Sequence, residues 1–180
     1  LRQAGYRVVS QRHSGLSSAR NRGFDCSKAK YVIPLDDDNR LLPPYFNQGL
    51  SLLEKDMALG WVYGDQLNFG ANSSTHRPGD FDLKQLRAKN YIDACCLIRK
   101  SMWHSVGGYD PLMPALEDWD FWLKCSANEW SGQYLHMPCF EYRVRENSLL
   151  RRHLADEEQH RDVVQRLRDK YGGEMMYLNE

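Results

Sequence analysis

The sequence predicts an α/β fold: a mostly parallel sheet flanked by helices and closed by a C-terminal amphipathic helix. Three observations carry this. Residues 6–10 (Tyr-Arg-Val-Val-Ser), a helical stretch over about 18–28 and the apolar run 31–35 alternate as strand, helix and strand, a pattern that pairs strands in parallel through a right-handed crossover. That second apolar run ends abruptly in Asp36-Asp37-Asp38-Asn39. From about residue 149 to 171, Leu154, Val163, Val164, Leu167 and Tyr171 make an apolar stripe on an otherwise charged helix.

The remaining elements follow in order. Gly15 turns the chain into the first helix, with Ser17 as its expected N-cap. Pro43 and Pro44 open a second helix, in which Phe46, Leu50, Leu53 and Met57 fall at helical spacing. Residues 61–64 read as a strand, 70–79 as a polar loop, 91–98 as another apolar strand, and Gly107-Gly108 as a turn. A helix is expected over 116–127 and a last strand over 140–144. No repeat and no linker divides the chain, so 1–180 reads as a single domain with 149–180 as its closing helix.

Composition narrows the function. The chain has 180 residues, with Lys+Arg and Asp+Glu both at 24. A net charge of zero argues against a nucleic-acid binder. No run is long enough to span a membrane and no signal peptide is evident. The five cysteines, Cys26, Cys95, Cys96, Cys125 and Cys139, are odd in number and lack CxxC spacing. They predict reduced, mostly buried thiols in a cytosolic protein, and no zinc site.

Four clusters can carry chemistry. Asp36, Asp37 and Asp38 follow a strand, at the sheet edge where ligands bind in open α/β folds. Adjacent like charges repel, and a divalent cation shared with substrate phosphates relieves that repulsion. If the segment is extended, Asp36 and Asp38 share a face, one for a ribose and one for the metal, and Asp38 is the expected metal ligand. An acidic turn that only caps the helix at Pro43 is the competing reading. Gly15 through Asn21 forms a glycine turn into a helix start carrying Arg20 and Asn21, where backbone N–H groups receive phosphate or hydroxyl oxygens, unless it is simply a capped helix. Glu117 and Asp118 open a helix whose dipole favours them. A carboxylate beside apolar walls makes a general base. Trp119 and Trp122 could form such walls or a sugar platform; the alternative is that both are core. Arg143 and Arg145 alternate on a strand, and their planar forks suit a diphosphate, unless they are solvated on an edge.

In order and spacing, five segments resemble a family 2 glycosyltransferase of the inverting GT-A type: Gly15 to Gly23, Leu35-Asp36-Asp37-Asp38-Asn39, Gly107-Gly108-Tyr109-Asp110, Glu117-Asp118-Trp119-Asp120, and Tyr142-Arg143-Val144-Arg145 through Ser148. The resemblance runs from about residue 6 to 148 and implies a partial GT-A, Rossmann-like sheet, with 1–60 on the donor and metal side, 61–148 on the acceptor side and 149–180 as the C-terminal helix. It implies a DxD-type motif at Asp36, Asp37 and Asp38 for donor and metal (Mn or Mg), and a catalytic base at Asp118 with Glu117 beside it. It also implies donor contacts from Arg20, Asn21, Arg143 and Arg145. The implied partners are a nucleotide-sugar donor and a glycan or lipid-linked acceptor. The implied location is cytoplasmic, with peripheral attachment to the inner face of the membrane through an acceptor lipid left open.

The family pattern begins with a strand-helix-strand-helix stretch and an upstream Asp that have no counterpart here. The resemblance therefore implies an N-terminally incomplete domain, weakly active or inactive alone, with an uncovered sheet edge that favours homo-oligomers. The alternatives are a truncated, non-catalytic sugar- or nucleotide-binding domain, and a two-carboxylate glycoside hydrolase. The hydrolase would leave the Asp triplet unexplained.

Overall fold

The computed structural model describes residue 3 and residues 5–145 and 153–172. Its spine is a pair of long parallel strands far apart in sequence, β3 (Leu59–Gly70) and β6 (Ser131–Val144). Around them stand β1 (Tyr31–Val32), β2 (Arg40–Leu41), β4 (Ser74–His76) and β5 (Leu97–Arg99). The sheet order is β1-β5-β3-β6-β2, with β4 added to β3. Strands β1, β3 and β6 run in one direction; the short strands β5, β2 and β4 run against their neighbours. The helices are α1 (Leu16–Cys26), α2 (Pro43–Lys55), α3 (Leu83–Ala88), α4 (Lys100–Ser105), α5 (Glu117–Ala127) and α6 (Glu157–Tyr171).

Strand alternation splits the core into two layers. Trp61, Tyr63 and Ile98 face one side and pack with Phe24 of α1, Trp103 of α4, Trp119 and Trp122 of α5 and Val164 of α6. Val62 and Leu97 face the other side and pack with Tyr45 and Leu53 of α2. This sandwich of helices on both faces is the α/β architecture the sequence predicts.

Several local expectations are corrected. Residues 6–10 form no strand: Tyr6 is 65% exposed, and no described segment offers a ladder to pair with. β-propensity without a partner leaves extended coil, so the expected first β-α-β unit is not formed. α1 begins at Leu16 with Gly15 as N-cap at φ 85°; Ser17 lies inside the helix, buried, with its hydroxyl unpaired. α2 does start on the two prolines, but its buried stripe is Tyr45, Gly49 and Leu53, with Phe46 outside. Tyr45 is drawn inward because its hydroxyl donates to Val62 O at 2.8 Å and receives Leu97 N–H at 2.6 Å. Residues 91–96, buried except for the half-buried Asp93, have no strand pairing, and the ladder begins only at Leu97. The last strand starts at Ser131, nine residues before the expected position, and is bent by register shifts against β3 and by His136 at φ 51°. The expected helix over 149–171 is described from 153: a helical turn at 153–155, then α6, with Asp156 capping Gln159 N–H. The five cysteines are free thiols, all but Cys26 buried.

Candidate active site

The Asp triplet sits beyond the end of β1, as its position in the sequence suggests, but in a turn: Asn39 N–H donates to Asp36 O at 3.1 Å. The expected extended geometry, with Asp36 and Asp38 sharing a face by alternation, is thereby replaced. Two contacts strap this turn to the end of β6. The buried Asn39 side chain accepts Arg143 N–H at 3.0 Å, and Arg145 Nε lies 2.7 Å from Asp38 Oδ2. Asp37 stays exposed at the turn's crest. The Arg143 guanidinium lies 4.5 Å from the Phe69 ring centroid and Arg40 5.1 Å from the same ring, a cation–π arrangement.

Arg20, on α1, joins this turn to the opening of α5. Its Nη2 lies 3.4 Å from Asp36 Oδ1, and its Nη1 donates to Glu117 Oε1. The guanidinium also lies over the Tyr109 ring at 5.6 Å. Burial disfavours its charge, but Tyr109, Glu117, Asp118 and Asp36 hold it firmly protonated. Asn21 makes a different connection. Its Nδ2 donates to Tyr109 O and its Oδ1 receives Tyr109 N–H, both at 2.8 Å, so the whole amide is spent on the turn after Gly107-Gly108. Both glycines have positive φ, and a Cβ on Gly108 would meet Asn21 Oδ1 at 2.7 Å and the Trp103 ring at 2.9 Å.

α5 is entered through Leu116 in the left-handed region, and Glu117 and Asp118 occupy its first turn. Asp118 Oδ1 accepts Trp119 N–H at 2.8 Å. Burial raises the Asp118 carboxyl well above the carboxylate range, to about 7; the neighbouring charges of Glu117 and Asp93 add to this, and Arg20 works against it. Trp119 and Trp122 are fully buried, with their indole N–H groups on Leu86 O at 2.6 Å and Ile92 O at 3.1 Å. They are core, and neither can present a platform to a sugar.

The sequence reading missed Asp93. Its carboxylate is within electrostatic reach of Asp36, Arg20 and Glu117, and burial pushes it up to about 6. The only signal was an acid inside an otherwise apolar run. Among the described residues, no three His, Cys, Asp or Glu side chains converge to cage a metal by themselves.

Comparison with known proteins gives these geometries a context. A family model described as glycosyl transferase family 2 matches residues 2–106. An uncharacterized glycosyltransferase of Methanocaldococcus jannaschii is 23% identical over 155 residues, covering 80% of this chain and 53% of that protein. The chondroitin synthase of Pasteurella multocida is 25% identical over 135 residues, covering 73% of this chain and 14% of that protein. Among solved structures, Staphylococcus aureus TarS 1–349 in complex with UDP-GlcNAc superposes with a TM-score of 0.61 at 11% identity, covering 78% of this chain and 42% of that one. The chain thus spans about half the length of the first of these relatives, and less of the others.

Proposed function

Because this chain belongs to glycosyl transferase family 2, we propose that its site moves a sugar from a nucleoside diphosphate donor to an acceptor hydroxyl, with inversion at the anomeric carbon, in glycan or polysaccharide synthesis. The observation that carries this is the Arg20 bridge between the Asp36–Asp38 turn and the Glu117-Asp118 helix start. It couples a phosphate-side loop to a carboxylate with the affinity of a base that works near neutral pH. The bound UDP-GlcNAc and UDP of the TarS structures support a nucleotide-sugar donor.

In this reading Asp118 takes the proton from the acceptor hydroxyl as its oxygen attacks the anomeric carbon. The bond from that carbon to the diphosphate breaks, and its electron pair leaves with the diphosphate. Arg145 and Arg143, at the end of β6 beside the Asp turn, receive that charge. Glu117 holds Arg20, and Asn21 acts through the Tyr109 turn that it pins. Asp36 and Asp37 face the donor. The hard oxygen donors of Asp36 and Asp38 fit Mn or Mg, which needs only one or two carboxylates when phosphates and water complete its shell. When bound there, the ion stabilises the departing diphosphate. Among the described residues no helix is long and apolar enough to cross a membrane. We place the reaction on the cytoplasmic side, where a lipid-linked acceptor is the route to membrane contact.

The test is thermal unfolding with UDP, GDP or dTDP, with and without manganese, followed by turnover of the matching nucleotide-sugar. A metal-dependent rise for one nucleotide, lost in Asp38→Ala, together with turnover lost in Asp118→Asn, supports the reading. A rise without turnover identifies a non-catalytic binding domain. Turnover that survives chelation and both substitutions overturns the assignment.

A further inference from the structure

The first turn of α5 does not hold itself in place. The chain enters it through Leu116 at φ 55°, a left-handed conformation that a branched side chain disfavours. Glu117, Asp118 and Asp120 then set three carboxylates in that one turn, and like charges this close repel. Two cations from outside the helix offset the repulsion. In front, Arg20 of α1 donates to Glu117. Behind, Lys170 reaches Asp120 from the last turn of α6.

Val163 and Leu167 bury one face of α6 in the core, and Lys170 continues that face one turn further on. Its ammonium bridges two carboxylates, Asp120 Oδ1 at 2.7 Å and Asp110 Oδ2 at 2.6 Å. Burial opposes the charge, and the hydrogen bonds to Asp110 and Asp120 hold it protonated. Asp120 is 1% exposed. Its Oδ1 also receives the Tyr171 hydroxyl at 2.9 Å, and its Oδ2 has no hydrogen-bond partner among the described residues. Asp110 belongs to the turn after Gly107-Gly108. Its Oδ1 accepts Leu112 N–H at 2.8 Å, while Arg166 of α6 lies 3.7 Å from its Oδ2 and donates to Leu112 O at 3.0 Å. Asn21 of α1 pins this same turn through Tyr109, and Lys124 of α5 donates to Gly108 O. A bond to Asp120 alone would only dock α6. The second bond, to Asp110, puts the spacing between α5 and the turn under the control of one ammonium.

We propose that Lys170 is a positioning residue for Asp118: by holding Asp120 and Asp110 together, it fixes where the first turn of α5 presents its carboxylates to the site. The catalytic consequence rests on the transfer reading above.

The experiment is NMR titration of the side-chain carboxyl carbons in the full chain, with Asp118 assigned by Asp118→Asn, in wild type and in Lys170 variants. The two ways in which Lys170 could act on Asp118 have opposite signs. Loss of a cation acting through space raises the affinity of Asp118 for its proton, whereas release of the helix lets water reach the buried carboxyl and lowers it. In Lys170→Met the midpoint should therefore fall by about one unit. Lys170→Arg, which can engage both carboxylates, should recover part of that fall. If Lys170→Met unfolds because Asp120 is left charged and unpaired, Lys170→Met combined with Asp120→Asn removes that charge and keeps an acceptor for Tyr171. The two charges lost together cancel through space, so the midpoint should again fall. In turnover, kcat should drop about tenfold with the donor KM unchanged. A midpoint at or above that of wild type in the folded variants, or one that Lys170→Arg does not move back, overturns the proposal. Absence of turnover in wild type would instead overturn the transfer reading, and the titration would still decide what positions Asp118.

Discussion

Asn21 and Tyr109 face each other across two hydrogen bonds, each 2.8 Å, that fasten α1 to the turn after the paired glycines. Tyr109 is fully buried and stacks on Phe121 of α5, with ring centroids 4.3 Å apart. The amide therefore helps to position α5 while lying outside it. Asn21→Ala leaves a buried N–H and a buried C=O without their partner. We expect a loss of about 1–3 kcal/mol in stability, read as a lower urea midpoint at unchanged slope.

Asp118 has a pH signature with a definite sign. Its carboxyl is raised in the folded state from 3.8 to about 7, so between those values the native state holds a proton that the unfolded chain gives up. This group's contribution to stability is thus full below about pH 4 and is lost as pH rises through about 7. Asp118→Asn removes the buried charge. It should be more stable than wild type at pH 8, by on the order of 2 kcal/mol, and the difference should vanish by about pH 4. A difference independent of pH would show that the carboxyl is not raised.

In the proposed transfer, the same group sets the acid limb. A base must be deprotonated, so kcat/KM should rise with pH to a plateau above about 7. Arg20 lowers the affinity of Asp118 for its proton. Arg20→Ala should therefore move the limb to higher pH by about one unit, and Arg20→Lys should restore part of the shift. A limb unmoved in Arg20→Ala would detach Arg20 from Asp118.

Packing makes a further prediction at Gly132. A Cβ there would lie 2.3 Å from Trp61 Nε1 and 2.4 Å from its Cε2. Trp61 has no room to yield, since it is fully buried, stacked on Trp122 at 5.0 Å and edge-on to Phe81 at 5.3 Å. Gly132→Ala should destabilise by about 1–3 kcal/mol, with a lowered thermal midpoint and disturbed tryptophan fluorescence.

How much of this was legible in the sequence varies with the range of the interactions involved. The prolines at 43 and 44, the glycines at 107 and 108 and the acids at 117 and 118 act locally, and each marks its element or turn correctly. The failures are long-range. Residues 6–10 have strand character but meet no partner strand, and the hydrogen bonds of a ladder need two backbones. β6 begins early because its pairing with β3, some seventy residues away in sequence, recruits Gly132 and Gln133 beside Trp61 and Val62. Tyr45 displaced Phe46 from the buried face because backbone groups of β3 and β5 needed a hydroxyl, a demand that a periodicity count cannot see. The sequence brought Glu117, Asp118, Arg20 and Asp36 forward separately, and the fold brings them together. Asp93 stayed hidden because one acid among apolar residues has no period.

Two residues beyond Asp118 on the same helix, Asp120 is held from behind: Lys170 Nζ lies 2.7 Å from its Oδ1, and the Tyr171 hydroxyl donates to the same oxygen at 2.9 Å. Both partners come from the last turn of α6, while the matched family stretch stops at residue 106. Anyone cutting an expression fragment at that match would discard Asp118, and one ending ahead of α6 would keep Asp118 but lose the contacts that hold Asp120 on the same helix. A fragment meant to keep α5 braced therefore has to run through Tyr171.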